Sequence, residues 1–293
     1  MISEVLRVKK LNKFYDDLQA LKDISFGVQP GEIIGLLGHN GAGKSTLIKC
    51  MMGAVKSYTG DIYINGSNIK KNHSVIVDNA GFLLEPSFCD YLSAQTNLEL
   101  LNSVASKTDR KKLTEVLETV SLKKFSGKKV GEFSFGMKQR LGLAQVLLTN
   151  PKLVVLDEPM VGLDPLGIEI VKNIIIKCSN NNIAVLFSSH QISDVFDICH
   201  RAIIMNDGKI VYDGAAAKLN TKKYVVKCSL NINQFAKALK QFDSELQVNG
   251  TEIRFIQTSA ISDVLRFILG YNLEIVDFYC ENSMNELIRL MKN

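Results

Sequence analysis

No CxxC pair, no long apolar run and no large excess of either charge occurs in this sequence of 293 residues, and each absence narrows its class. The six cysteines, Cys50, Cys89, Cys178, Cys199, Cys228 and Cys280, stand singly and far apart. That spacing fits free thiols in a reducing compartment better than a disulfide framework or a zinc site. Nowhere do about 18 uninterrupted apolar residues occur, so no segment reads as a transmembrane helix. The opening MISEVLRVKK lacks the apolar core of a signal peptide, and any membrane role is expected to need a separate membrane subunit. Lys and Arg number 35 against 30 Asp and Glu, a net charge of +5 too small and scattered to name nucleic acid or an acidic membrane as partner. With 46% hydrophobic and 22% charged residues the chain is ordinary and globular, which excludes wholesale disorder. Its length allows one large or two modest domains.

What is present is a recurrent pattern of buried strand, loop and helix. The first 30 residues read as two antiparallel strands ending at Pro30-Gly31. The continuous apolar run Ile33–Leu37 reads as a buried strand, as do Gly81–Leu84, Leu153–Leu156 and Ile183–Phe187. A short strand pair turns at Asn65-Gly66. From Tyr91 to Val130 apolar residues recur at helical spacing, giving a helical insert over about 86–130, and helix resumes over Lys138–Leu148. A strand-turn-strand unit spans Ala202 to Tyr212, and Asp213-Gly214 is expected to begin a polar linker. Beyond a boundary at 219/220 the expected order is strand Tyr224–Cys228, helix Gln234–Phe242, strands Glu245–Val248 and Glu252–Ile256, helix Ile261–Leu269 and strand Leu273–Phe278. That β-α-β-β-α-β order is the ferredoxin-like pattern, with a last amphipathic helix over Met284–Lys292.

Gly38-His39-Asn40-Gly41-Ala42-Gly43-Lys44-Ser45 satisfies GxxxxGK[ST] between a buried strand and a helix, the context this phosphate-binding loop requires. Its glycines let successive N–H groups close around a phosphate at the positive end of a helix. Lys44 is expected on the β- and γ-phosphates, Ser45 on Mg²⁺ and Thr46 on a further phosphate oxygen. Asp157 and Glu158 follow the apolar run Leu153–Leu156, at the strand end where open parallel sheets bind ligands. Asp157 is the candidate Mg²⁺ ligand and Glu158 the candidate general base that polarises the attacking water. His190 ends a later buried strand and, taken alone, is an ordinary strand-end histidine.

Together these residues resemble the nucleotide-binding subunit of an ABC transporter over about residues 4–215. Phe133-Ser134-Phe135-Gly136-Met137-Lys138-Gln139-Arg140 resembles the family signature LSGGQ, with Ser134 and Gly136 matching and Phe133, Phe135 and Met137 departing. The resemblance implies a P-loop α/β fold of ABC type, with a mixed core sheet, an antiparallel β subdomain, the helical insert and a small α+β C-terminal domain over 220–293. It implies ATP and Mg²⁺ as ligands and a homodimer, or a pair with a related ATPase, closed head to tail. Each ATP would then lie between Lys44, Asp157, Glu158 and His190 of one subunit and Ser134 and Gly136 of the other. Tyr15 matches the aromatic that stacks on adenine, Leu163-Asp164 the loop that crosses the interface, and His190 the γ-phosphate switch.

Most members carry glutamine where this chain has Glu85, and Gln95, ten residues on, is a poor substitute. Glutamate there is similar to the lantibiotic-immunity and bacitracin-resistance exporters of Gram-positive bacteria, and the expectation is that Glu85 meets Mg²⁺ and the γ-phosphate. The helical insert is expected to receive a cytoplasmic segment of a separate permease, with Phe88 and Tyr91 as candidate anchors, at the cytoplasmic face of the membrane. Efflux of drugs, lipids or sodium would use much the same ATPase. A soluble ABC ATPase acting on ribosomes or DNA would usually bring a second cassette, a coiled coil or a strongly basic face, and none is visible, so no nucleic-acid partner is expected. A regulatory module with slow turnover stays open, because residues 221–293 contain no catalytic constellation.

Overall fold

Alternation at the start of the chain folds into a hairpin, β1 (Leu6–Tyr15) antiparallel to β2 (Leu18–Val28). Leu6 and Val8 face inward, and then an irregularity at Lys10, whose φ is 45°, shifts the parity so that Leu11 and Lys13 are the next buried residues. β3 (Ile33–Leu37) is buried along its whole length, and the glycine-rich loop delivers it into α1 (Lys44–Met51). β4 (Thr59–Ile64) and β5 (Ser67–Asn68) extend the first hairpin into an antiparallel sheet of order β2-β1-β4-β5. The computed structural model describes residues 4–105, 110–219, 222–241, 246–256 and 261–282.

After α2 (Ser74–Asn79) comes β6 (Ala80–Leu83), followed by the helical insert, α3 (Ala94–Ala105) and α4 (Arg110–Thr119). Two short turns of tighter helix lead to α5 (Phe135–Leu148), which starts at the capping residue Ser134, three residues earlier than the apolar spacing indicates. Next in order are β7 (Leu153–Leu156), α6 (Pro165–Asn180), β8 (Ala184–Ser189), α7 (Ile192–Ile198), β9 (Arg201–Asn206) and β10 (Lys209–Ala215). The six-stranded sheet has the order β10-β9-β3-β8-β7-β6, parallel except for β10 at its edge. Helices cover parallel strands on both faces, which is why these strands read as unbroken apolar runs. Because β3, β7 and β8 are parallel neighbours, the loops that follow them emerge along one edge.

Asp213-Gly214 is not a linker. Both residues belong to β10, opposite Ile203 and Ala202. The Arg201 guanidinium donates to Asp213 Oδ2 at 2.6 Å and to the Gly27 carbonyl at 3.0 Å, so the arginine links β10 to β2 and the aspartate holds it in place. The chain divides into compact units between Ala215 and Ala216.

The second unit has its own core, with Val226, Cys228, Ile253, Phe255, Val264 and Ile268 buried. Its elements are α8 (Ala216–Leu219), β11 (Lys222–Cys228), α9 (Ala236–Leu239), β12 (Gln247–Asn249), β13 (Glu252–Ile256), α10 (Ile261–Gly270) and β14 (Ile275–Asn282). All neighbours in the order β12-β13-β11-β14 are antiparallel, the ferredoxin-like arrangement. The helix expected over Gln234–Phe242 contracts to α9 behind a short tight turn at Asn233–Phe235, where Asn231 and Asn233 side chains take backbone N–H groups instead. The last strand begins at Ile275 rather than Leu273, because Asn272 is left-handed at φ 52° and the Leu273 N–H returns to the Ile268 carbonyl to close α10. The helix expected over Met284–Lys292 lies outside the described residues. Among the described residues no helix is long and apolar enough to cross a membrane.

Candidate active site

The loop between β3 and α1 is built around a buried ammonium. Gly43 precedes α1 with φ 103°, and a Cβ there would stand 2.8 Å from the Ala20 carbonyl oxygen, so only glycine fits. The next residue, Lys44, is 6% exposed. Its Nζ donates to the carbonyls of Gly38 at 2.7 Å and His39 at 3.3 Å, and the nearest carboxylate, Glu158 Oε1, is 3.7 Å away. A lysine this buried, with mostly neutral acceptors, invites an anion. His39 is fixed on both ring nitrogens, Nδ1 at the Asn40 carbonyl (2.7 Å) and Nε2 at Asn206 Oδ1 (3.0 Å). Ala42 is buried beneath the loop, its carbonyl accepting from Gly208 N–H at 3.1 Å. A cleft of 460 Å³ opens above, lined by Tyr15, His39, Asn40, Gly41, Gly43, Lys44, Ser45, Thr46 and Glu158. Nine of the residues singled out in the sequence thus share one cleft with the N-terminus of α1.

The acids arrive from β7. Asp157 continues the strand, its N–H bonded to the Leu83 carbonyl at 2.7 Å, and Glu158 then turns into the left-handed region at φ 47°. This turn points the Glu158 carboxylate at two partners: Oε2 lies 2.9 Å from His190 Nδ1, and Oε1 faces Lys44. His190 is brought there by β8, the strand beside both β3 and β7. Ser188, passed over in the sequence because serine at a strand end is commonplace, links the two acids. Its Oγ donates to Asp157 Oδ1 at 2.5 Å and accepts from Glu158 N–H at 2.8 Å. The only advance signal is register: Leu156 lies beside Phe187, so Asp157 and Ser188 follow side by side.

Ser134, Gly136, Asp164 and Glu85 do not line the cleft. Ser134 caps α5 and accepts from Met137 N–H at 3.3 Å, while Asp164 caps α6 and accepts from Gly167 N–H at 2.8 Å. These two caps belong to adjoining segments: a Cβ on Gly136 would meet Leu163 at 3.2 Å, and one on Gly162 would meet the Phe135 ring at 3.0 Å. Glu85 is exposed, with no hydrogen bond or ion pair among the described residues. Gln95 bonds Glu99 within α3 at 2.9 Å, away from the cleft. Tyr91 is 73% exposed, whereas Phe88 is half-buried.

A family model described as ABC transporter matches residues 21–161. The bacitracin transport ATP-binding protein BcrA of Bacillus licheniformis is 37% identical over 212 residues, 72% of this chain and 69% of that protein. The dimeric structure of MJ0796, a bacterial ABC transporter cassette, shares the fold with a TM-score of 0.67 at 24% identity, covering 72% of this chain and 98% of that one. The ABC transporter ATP-binding protein YdbJ of Bacillus subtilis, whose function is uncharacterised, is 34% identical over 99% of this chain and 96% of its own length. With that likeness running through both chains from end to end, this protein belongs to the ABC transporter ATP-binding proteins and is an ABC ATPase.

Proposed function

We propose that the chain is the ATP-hydrolysing subunit of an exporter of antimicrobial peptides, working as a dimer around two ATP at the cytoplasmic face of a separate membrane permease. The observation that carries the catalytic part is the position of Glu158, between buried Lys44 at 3.7 Å and His190 at 2.9 Å. In that place a carboxylate can accept a proton from water attacking the γ-phosphorus. The new P–O bond forms as the bond to the β-phosphate bridging oxygen breaks, leaving ADP and phosphate. Lys44 and the N–H groups opening α1 stabilise the charge gathering on the phosphate oxygens, and His190 holds the carboxylate in its rotamer. Tyr15, which lines the same cleft, offers a ring to adenine.

Mg²⁺, when bound, supplies charge neutralisation at the phosphate oxygens. The donor set suits it: one hydroxyl (Ser45) with one carboxylate (Asp157) are hard oxygen ligands that leave the rest of the shell to phosphate and water. Glu85 is proposed to couple metal and phosphate occupancy to the membrane partner. Ser134, Gly136 and Asp164 lie outside the cleft, and in the dimer reading Ser134 and Gly136 face the partner's ATP. The peptide cargo rests on the likeness to BcrA, whose name records bacitracin transport. Residues 220–293 serve as an accessory domain.

The test is Mg²⁺-dependent ATP hydrolysis by the wild type and Glu158→Gln, each alone and with whatever membrane protein co-purifies. Turnover that collapses in Glu158→Gln, with an ATP-held dimer and a retained permease, supports the reading. Tight ATP binding without Glu158-dependent turnover, or no membrane partner, defeats it in favour of a regulatory module.

A further inference from the structure

We infer that Ser188 is the positioning residue for both acids of the site, setting the Asp157 carboxylate and the Glu158 turn with one buried hydroxyl. Ser188 is 0% exposed, and parallel register puts it beside Asp157. The hydrogen-bond directions are forced by chemistry. The Glu158 backbone N–H can only donate and the ionised Asp157 carboxylate can only accept, so the hydroxyl's single proton goes to Asp157 Oδ1 while its lone pair takes the Glu158 N–H. Both ends of the serine are thereby used, and one hydroxyl ties the two acids together.

Two consequences follow for the chemistry. Fixing Oδ1 sets the plane of the Asp157 carboxylate and leaves Oδ2 without a hydrogen-bond partner among the described residues, the arrangement a carboxylate needs to offer one oxygen to a cation. Holding the Glu158 N–H stabilises a left-handed backbone that is uncommon for a glutamate, and that turn is what sends the side chain toward Lys44 and His190. Neither link replaces a reacting group. Ser188 acts through Asp157 and Glu158 and does not itself line the cleft around Lys44.

This inference rests on the ATPase reading, and its test separates the two. Ser188→Ala, Ser188→Val and Ser188→Thr are compared for kcat, KM for ATP and the Mg²⁺ concentration giving half-maximal rate. Thermal unfolding and the affinity for a fluorescent ATP analogue are followed with Mg²⁺ and in excess chelator. Loss of an outer-sphere partner to a metal ligand costs roughly 10- to 100-fold in metal affinity or activity. Ser188→Ala and Ser188→Val are therefore expected to lower kcat at least tenfold, raise the half-maximal Mg²⁺ concentration and shrink the gain in nucleotide affinity that Mg²⁺ brings. Affinity in chelator should stay within about twofold, since the Lys44 loop is untouched. Ser188→Thr, which keeps the hydroxyl, restores these quantities.

Wild-type kcat and Mg²⁺ response in Ser188→Ala would overturn the assignment. So would equal losses of affinity with and without Mg²⁺ that Thr does not rescue, because a hydroxyl that only fills space has no reason to act through the metal. If the wild type shows no Glu158-dependent turnover, the catalytic reading falls, while the Mg²⁺-dependent difference in nucleotide affinity still decides for or against Ser188.

Discussion

The Lys13 ammonium stands 4.4 Å from the centre of the Tyr15 ring and donates to Ser57 Oγ at 2.6 Å. Lys13 is 5% exposed, and no carboxylate pairs with it among the described residues. One face of Tyr15 is therefore occupied by a buried cation, while the residue also borders the nucleotide cleft. A desolvated cation over an aromatic ring contributes about 2 kcal/mol, enough to fix the ring's orientation.

From this geometry, Tyr15→Ala is expected to raise KM for ATP roughly tenfold with little change in kcat, the cost of about 1.4 kcal/mol of binding energy. Lys13→Met should raise it by a smaller factor, with the ring retained but unanchored. Inhibition by inorganic tripolyphosphate, which has no base, should be unchanged in both variants. Parallel weakening of tripolyphosphate would mean that the phosphate loop itself had been disturbed, and would refute a role confined to the base.

Gly162 and Phe135 define a second contact. Gly162 has φ 73°, and a Cβ there would meet the ring of Phe135 at 3.0 Å. Gly162→Ala must both strain the backbone, at about 1 kcal/mol, and displace the ring at the start of α5. Phe135 is 56% exposed, so the ring has room to move, and the variant should remain folded. In a Glu158→Gln background we expect ATP-induced dimer, measured by sedimentation, to weaken several-fold on Gly162→Ala and to recover in part when Phe135→Gly removes the obstruction. Failure of the second change to restore anything would detach this contact from dimer closure.

How legible the site was depends on the distance over which each feature is encoded. The phosphate loop and the pair Asp157-Glu158 are contiguous in sequence, and their flanking apolar runs are buried strands, so motif and context could be read together. Features made by pairing between strands were hidden. Lys13 looks outward on a strict alternation and turns inward only because of the irregularity at Lys10. Ser188 acquires its two bonds from the register of β8 against β7. Asp213-Gly214 has the composition of a turn, but Arg201 across the strand pair recruits the aspartate into the sheet. The ferredoxin-like strand order was legible from element sequence alone, because β-α-β-β-α-β leaves few ways to bury one face.

That misread aspartate gives a stability prediction. Arg201 holds Asp213 through two nitrogens and also reaches the Gly27 carbonyl and Glu32, and these partners raise its pKa, its hydrogen bond to Asp213 most of all. Both side chains are roughly three-quarters shielded. Asp213→Ala leaves the guanidinium with a backbone carbonyl and one longer ion pair at 3.4 Å. A loss of about 1–2 kcal/mol in urea unfolding is expected, larger than for an exposed pair. Asp213→Asn, which keeps the shape without the charge, should lose less. Equal stability in all three proteins would reduce the pair to a surface contact.

Buried thiols give the pH dependence of folding a defined sign. Burial pushes Cys50 and Cys178 from 9.0 up to about 11, with nearby Lys13 and Lys177 respectively acting against it. Cys199 moves upward as well, first from burial and then from Asp194. Between pH 9 and 11 the unfolded chain releases thiol protons that the native chain retains, so unfolding is favoured as pH rises through this window, and the contribution is absent below about pH 8. At pH 10 each of Cys50 and Cys178 should cost on the order of 1 kcal/mol relative to pH 7. Tyr58, raised from 10.0 to about 12, chiefly by burial, adds a loss of the same sign from about pH 9 that is still only a few tenths of a kcal/mol at pH 10, and it acts in the wild type and the variant alike. Urea unfolding at pH 7 to 10 should show a steeper decline in the wild type than in Cys50→Ala/Cys178→Ala. The double variant starts lower at pH 7 because two buried side chains have been shortened, yet it should converge on the wild type as the pH approaches 10. Parallel curves across the whole range would mean that these thiols ionise no differently in the folded and unfolded chain.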